Sequence, residues 1–444
     1  MRSILVTLVL VLGFFQAHAQ EEPTSFSLQE AIDYALKYNY SILNADRDLL
    51  DAQKQKWEVI ASGLPQISAA VSYQNQLKQP VNQIPAEFFG GEPGTFAEVV
   101  FGQPQSVTAF ATLTQQIFDG SYIVGVQATQ TFLRYSENNK KKTDQEVLQS
   151  VVEAYGNVLL AQESVLIFRK NLATLEKNLY ETKRIFENGL GDQESVDQLQ
   201  ITFTSVENQL KNAERLEKIT LQMLNVLLGR EVGSELVLTD KLNELTQSQI
   251  NYNLLESDLV LENNIDYQIV ENLNDQRRLE LKLAKSRALP TLNAFVNYGF
   301  SGFGEQFNFL QREQDWFASS VLGIDLRVPI FSSLGRSAST QRAKIAYEKA
   351  KTQKKETEQL IWLQHETAKS NYILAIEEYN TSKKNLELAE RIEGQNQVKY
   401  SEGVASSFEL RQAQTQLYSA QQEYLQNMVR VINSKTELQN ILNK

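Results

Sequence analysis

From about residue 122 to 188, and again from about 335 to 402, seam positions return at alternating steps of four and three residues. In the later stretch Ile361, His365, Ala368, Tyr372, Ala375, Tyr379, Ser382, Leu386 and Ala389 mark the rhythm. Subtracting 214 gives Val147, Val151, Ala154, Val158, Ala161, Val165, Phe168, Leu172 and Leu175, all of them apolar. A repeat of about 3.5 residues puts these positions on one helix face and winds the helices into a left-handed coiled coil. The seam resumes beyond Gly403 at Leu410, Ala413, Leu417, Ala420, Tyr424 and Val431, and beyond Gly189 at Val196, Leu199, Phe203, Val206, Leu210 and Ala213. Each half of the chain is therefore expected to hold an antiparallel helical hairpin turned at its glycine. At 1.5 Å per residue the long arm is a rod on the order of 100 Å. Shorter helices are expected at about 27–62, opened by a Ser27-x-x-Glu30 capping box, and at about 193–228, closed by Gly229.

Between the first short helix and the long one the period changes to two. Ile67, Ala69, Val71 and Tyr73 alternate with Ser68, Ala70 and Ser72; Leu322, Ile324, Leu326, Val328 and Ile330 alternate with Val321, Gly323, Asp325, Arg327 and Pro329. With strands near 106–118 and 291–303, two hairpins result, each strand close to the roughly 9–11 residues that a tilted membrane-spanning strand requires. Alternation by itself fits a soluble sheet packed on helices equally well. Length favours the membrane, because such strands joined to long rods have no comparable surface to bury against. Four strands are too few to close a barrel, and open edges are forbidden in lipid, so several chains must share one. Segments 78–105, with Pro80, Pro85, Pro93, Pro104 and Phe88-Phe89, and 304–318 are expected as loops on the far side of the membrane.

The chain is written twice. Leu64-Pro65 recurs as Leu289-Pro290 and Asn39 as Asn264 at an offset of 225; Ile117-Phe118 recurs as Ile330-Phe331 at 213. Phe186 and Gly189 recur as Tyr400 and Gly403 at 214, with Gln198 and Gln200 matching Gln412 and Gln414. The expected organisation is a first repeat over 20–229 with its β-hairpin at 66–118, a linker over 230–254, and a second repeat over 255–444 with its β-hairpin at 291–331.

Residues 1–19, MRSILVTLVLVLGFFQAHA, have one basic residue, an apolar run and Ala17-His18-Ala19 before Gln20, the pattern of a removed secretory signal peptide. Its loss takes away Arg2 and leaves a net charge of −12 in place of −11. An acidic exported chain is a poor partner for nucleic acid, and none is expected. Cysteine is absent, and His365 is the only histidine after the signal. Nucleophile–histidine pairs and multi-histidine metal sites are excluded by that inventory. A carboxylate-based hydrolase stays open on inventory, but no segment is pocket-like, and no catalytic, cofactor or metal site is expected. After residue 19 no window approaches the roughly 20 consecutive apolar residues of a spanning helix, which leaves a barrel as the way across a membrane.

SLQEAIDYALKYN at 27–39, LPQISAAVSY and LPTLNAFVNY at 64–73 and 289–298, IFDG and IFSS at 117–120 and 330–333, and the turns GLGDQESVDQLQ and GVASSFELRQAQ at 189–200 and 403–414 are each weak signals. Their order, doubling and spacing resemble the TolC-like outer membrane factors of Gram-negative bacteria over essentially the whole mature chain. The resemblance implies a mainly α fold with a membrane β-barrel: a homotrimer in outer membrane lipid, with twelve shared strands above a periplasmic tunnel of twelve helical rods. It also implies an exit duct for an inner-membrane pump linked by a periplasmic adaptor, a membrane fusion protein, in efflux or type I secretion. At the periplasmic turns it implies a constricting tyrosine at Tyr400, with Phe186 in the equivalent place, and an acidic aperture position at Glu409. Two positions depart from the pattern: the latching arginine is Ala405, and the second acidic ring position is Gln412. Asp192 and Glu194 are the candidate substitutes, and the turns at Gly189, Gly191 and Gly403 are the expected adaptor contacts. Each has a plain structural reading beside it. Tyr400 continues the seam through Ala389, Glu393 and Asn396, the three carboxylates open helices where the dipole favours them, and the glycines end helices. The rival function is a soluble periplasmic coiled-coil scaffold or pump adaptor, although adaptors carry their β-modules outside the helical hairpin.

Overall fold

The computed structural model describes residues 24–443, so the expected signal peptide at 1–19 lies outside the described residues. About two thirds of the chain is helical, 67%. It divides into two compact units, one built from 24–46, 140–265 and 358–443, the other from 47–139 and 266–357.

The first unit is helical. Helix α1, Leu28–Tyr38, opens on the expected capping box: the Ser27 N–H donates to the Glu30 carboxylate at 2.8 Å, and the Ser27 hydroxyl oxygen accepts from the Glu30 N–H. Asn39 then breaks the run and α2, Tyr40–Ser62, begins at once. The Asn39 side-chain oxygen accepts from the Ser41 N–H at 2.7 Å, and its side-chain amide donates to the Leu227 carbonyl at 2.6 Å, near the end of the helix Gln193–Leu228. Asn264 repeats the second bond in the other half, donating to the Ile441 carbonyl at 3.1 Å. The pair of asparagines that recurs in the sequence thus satisfies the free carbonyls that a helix leaves at its C-terminus.

Two hairpins follow: α3, Gly120–Glu187, with α4, Gln193–Leu228; and, later in the chain, Gly335–Ser401 with Ser407–Leu442. Of the nine seam positions in each half, all are buried except Ala154, Leu172 and Leu386, which are half-buried. By length and composition α3 is apolar enough to cross a membrane, with a window of mean hydropathy 1.3. Its seam residues Val151, Val158 and Val165 are buried in the helical unit, which is where that hydrophobicity goes.

The segment 230–254 is more than a connection. Val237–Leu238, strand β6, pairs in parallel with Ser25–Phe26, strand β1, and a short helix α5 follows at Leu242–Gln249. The Asp240 carboxylate accepts from the Leu28 N–H at 2.7 Å and from the Tyr155 hydroxyl at 2.8 Å. On the other long helix the Tyr372 hydroxyl donates to the Gln249 carbonyl and accepts from the Asn251 N–H, both at 2.8 Å. One fully buried tyrosine from each long helix therefore holds this segment. Burial pushes both hydroxyls above the usual tyrosine range, so they stay protonated and keep donating.

The second unit carries the sheet. Strands β2, Gln66–Asn75, β5, Gln105–Asp119, β7, Thr291–Gly304, and β8, Trp316–Arg327, are antiparallel in the order β2-β5-β7-β8. The sheet is open, with β2 and β8 at its edges. The segment 78–105, expected as a loop, is itself a hairpin: β3, Val81–Pro85, pairs with β4, Phe96–Val100, across a short 3-10 turn at Ala86–Phe89. Helix α6, Ile265–Ser286, precedes β7, and helices α7, Gly335–Ser401, and α8, Ser407–Leu442, complete the chain. Strand β8 stops at Arg327, because Pro329 lacks the N–H that a ladder needs, so Val328 and Ile330 lie beyond it. The corner into α7 passes through Ser333 and Leu334 at φ of 47° and 63°. Arg336 holds it by donating to the Pro329 carbonyl at 2.8 Å and the Ile330 carbonyl at 3.2 Å.

Candidate functional site

Pairing register assigns every strand residue to a face, because residues directly opposite on neighbouring strands point the same way. One face has rows Ile67–Leu113–Val296–Leu322, Val71–Ala109–Phe300–Ala318 and Phe118–Leu292–Leu326. The other has rows Ser68–Thr112–Asn297–Val321, Gln116–Asn293–Asp325 and Asp119–Thr291–Arg327. Ile67, Val71 and Leu322 are each 75% exposed, so the apolar face is bare. A bare apolar face opposite a hydroxyl, amide and charged face is the arrangement of a sheet between lipid and water.

The helical unit holds the two turns. Gly189 has φ of 73° and Gly403 72°, and an added Cβ would meet nothing within 4 Å at either. The glycine requirement is therefore conformational. At the first turn the Gly189 N–H donates to the Phe186 carbonyl at 2.9 Å and the Leu190 N–H to the Ile185 carbonyl at 3.1 Å. At the second, the Gly403 N–H donates to the Tyr400 carbonyl at 3.0 Å and the Val404 N–H to the Lys399 carbonyl at 2.8 Å. Both are Schellman closures with a left-handed residue. They leave Leu190 and Val404 83% and 74% exposed at the turn tips, and Gly191 beside Ile185.

The three carboxylates singled out at the turns each have a local partner. Asp192 is the N-cap of α4, accepting from the Ser195 N–H at 2.7 Å and its hydroxyl at 3.1 Å. Glu194 accepts from the Gln198 amide at 2.9 Å. Glu409 closes a capping box with Ser406, accepting from its N–H at 2.8 Å and its hydroxyl at 3.0 Å. Those bonds from Ser406, helped by the Lys399 charge, hold the Glu409 carboxyl below the usual carboxylate range. Phe186 sits partly exposed in the last turn of α3.

Tyr400 is placed differently. Its hydroxyl shares a 2.7 Å hydrogen bond with the Thr182 hydroxyl on α3. Three further polar ties join the two hairpins within this unit, none of them anticipated from the sequence. Asn178 and Gln397 exchange two amide bonds at 2.8 and 2.9 Å, Asn171 donates to Gln421 at 2.9 Å, and the Ser195 and Ser407 hydroxyls meet at 3.0 Å. The available signal was the run of Asn, Gln, Ser and Thr on or beside the seam near each turn, and the Ser406-x-x-Glu409 spacing announces its capping box.

The apolar cores of the hairpins differ. Val165, Phe168, Leu175, Leu179, Val196, Leu199, Val206 and Ala213 cluster between α3 and α4. Between α7 and α8 the corresponding cluster near the turn is Ala389, Leu417 and Ala420. Beyond it the seam of α7 carries Glu393, beside Gln414. Burial pushes the Glu393 carboxyl above the usual range, opposed by the Gln414 amide and the Lys170 charge. Gln414 itself is 1% exposed.

A sequence model of the family described as outer membrane efflux protein matches residues 31–230 and 257–444. The alkaline protease secretion protein AprF of Pseudomonas aeruginosa is 27% identical over 251 residues, which is 55% of this chain and 50% of AprF. The outer membrane protein TolC of Vibrio cholerae is 25% identical over 244 residues, 54% of this chain and 55% of that protein. These alignments span about half the length of either relative. Among solved structures, the outer membrane protein VceC of Vibrio cholerae matches with a TM-score of 0.72 at 16% identity, covering 94% of this chain and 95% of VceC. The Campylobacter jejuni CmeC outer membrane channel matches with a TM-score of 0.72 at 16% identity, covering 96% of this chain and 90% of CmeC. At such identity the structural likeness speaks for the fold.

Proposed function

We propose, from the premise that the chain belongs to the outer membrane efflux protein family, that it is one subunit of a passive exit duct through the outer membrane, its helices reaching into the periplasm. The observation that carries this reading is the sheet: four strands with open edges, one face bare and apolar, the other lined mostly by Ser, Thr, Asn, Gln and charged residues with four Phe among them. An open edge in lipid leaves backbone N–H and C=O groups unpaired at several kcal/mol each. Edge strands β2 and β8 therefore pair with neighbouring copies, and three chains give twelve strands, the number the family resemblance implies. Two tandem repeats, divided near 230–254, supply two strands each.

The duct narrows at the helix turns. Tyr400, with Phe186 in the equivalent place, constricts it, while Glu409, Asp192 and Glu194 line the mouth and favour cations mildly. Opening is a movement of the α7–α8 hairpin, since hydrogen bonds that water can replace tie it at Gln397, Tyr400 and Ser407. A periplasmic adaptor docks on the exposed turns around Gly189, Gly191 and Gly403 and shifts that balance, and an inner-membrane pump supplies the cargo. The family description names efflux and the AprF relative is named for protease secretion, so the pump belongs to one of those two systems.

The test is reconstitution. Recovery from the outer membrane only with detergent, followed by discrete conductance steps in a planar bilayer, is expected. Release into the soluble periplasm without detergent, or a reconstituted protein that passes no current, sinks the reading.

A further inference from the structure

The polar face of the sheet is interrupted by four phenylalanines. Phe295 shares a row with Gln66, Thr114 and Gly323; Phe110 shares one with Ala70, Gly299 and Ser319. Phe317 lies in the next row, with Ser72, Thr108 and Ser301, and Phe303 in the one after, with Gln74 and Ser106. From Phe295 to Phe303 is eight residues of one strand, about 27 Å along the strand and roughly 20 Å along the axis of a barrel whose strands tilt by about 40°.

Two of the rings lie on glycine. A Cβ on Gly323 would stand 2.3 Å from the Phe295 ring, and one on Gly299 would stand 2.4 Å from the Phe110 ring. Each ring fills the place a neighbouring side chain would take, so it rests against the adjoining strand and does not project into the lumen. Shielding of strand glycines accounts for those two. It does not account for Phe303 and Phe317, which are 45% and 59% exposed and pack on each other with ring centroids 6.2 Å apart. Apolar rings on a face otherwise made of hydroxyls and amides present π surfaces to water, and π surfaces stack flat aromatic groups and attract cations. At the helical end of the same face Asp119, Asp325 and Arg327 leave one net negative charge.

We propose that Phe317 and Phe303 form a two-ring stacking track for flat aromatic cations moving through the barrel. The proposal rests on the duct reading, in which this face lines the lumen. Cargo of that class passes directly from the Phe317 ring to the Phe303 ring in the adjacent row. Aliphatic cations of equal charge and similar size feel only the mouth.

The probes are phenyltrimethylammonium and tetraethylammonium, added to the full-length protein in a planar bilayer under potassium chloride. Current interruptions by the aromatic probe are expected to last about three- to tenfold longer than those by the aliphatic one. Phe303→Leu with Phe317→Leu brings that ratio to near one. Phe295→Tyr keeps it, and so does Phe300→Leu on the apolar face. Equal dwell times in the unaltered protein, or a ratio that survives the double substitution, overturn the track and leave the duct standing. Absence of any conductance overturns the duct itself and the track with it.

Discussion

The two helical hairpins share one frame and differ in what fills it. At the offset of 214, Leu179 in the first corresponds to Glu393 in the second, Thr182 to Asn396 and Phe186 to Tyr400. The α3–α4 seam stays apolar almost to its turn, so it is held by burial, which water cannot imitate. Toward its turn the α7–α8 seam loses that apolar filling, and α7 is tied across to α3 by amide and hydroxyl bonds. Each is worth about 1 kcal/mol net, because water offers nearly equivalent partners. In the proposed duct the first hairpin is the fixed wall, and the second exchanges its contacts for solvent at small cost. If the chain forms the proposed duct, these energetics assign its opening to the second hairpin.

The largest blow to that comparison falls on the wall. Leu179 is 7% exposed, and Leu179→Ala is expected to cost about 2–4 kcal/mol, seen as a lowered melting transition of the purified protein. Leu386→Ala, at a half-buried seam position of α7, is expected to cost less than half as much. Equal losses would erase the distinction between the hairpins. A smaller effect comes from Tyr400→Phe, which removes the 2.7 Å bond to Thr182 at a cost of about 1 kcal/mol. Hydrogen exchange is expected to accelerate at amides around the second turn and stay unchanged around the first. Acceleration at both would mean that the hairpins open together.

The smallest effect is a pH dependence with two opposite signs in the second hairpin. The Glu393 carboxyl is held above its ordinary value of 4.5, so the packed state binds the proton more tightly than the hydrated one. Its closure is then strongest below that ordinary value and is lost as pH rises through the raised one. Glu409 is held below 4.5 by Ser406; its contribution is present above that value and lost as pH falls through the lowered one. Exchange at the second turn should accelerate between the ordinary and the raised Glu393 values, and Glu393→Gln should flatten that rise. A rise that persists in the variant would place the titrating group elsewhere.

Much of the architecture was legible because it is local and periodic. The seam step, the Ser27 capping box, Gly229 and the two turn glycines act within a few residues of themselves, and the helices end at Glu187 and Ser401. What escaped depends on distant partners. The β3–β4 hairpin hides in a proline-rich segment because both of its strands are only five residues long. The parallel pairing of Ser25–Phe26 with Val237–Leu238 joins positions more than two hundred apart, which no short window contains. At the turns, Tyr400 could be picked out as a seam aromatic, yet its partner could not, because Thr182 meets it only once the two hairpins are packed side by side. Glu409 looked like an aperture group by analogy, and its immediate geometry is that of a helix cap.

The central claim is that hydrogen bonds from the second hairpin keep a water-filled duct narrow. Single-channel conductance of Asn178→Leu combined with Tyr400→Phe, compared with the unaltered chain in the same bilayer, tests it most directly. The bonds at 2.7 to 2.9 Å that join α3 to α7 are then gone while the apolar seam of the first hairpin is kept. Larger conductance steps or longer open times are expected in the variant. Steps of unchanged size and duration would contradict the claim.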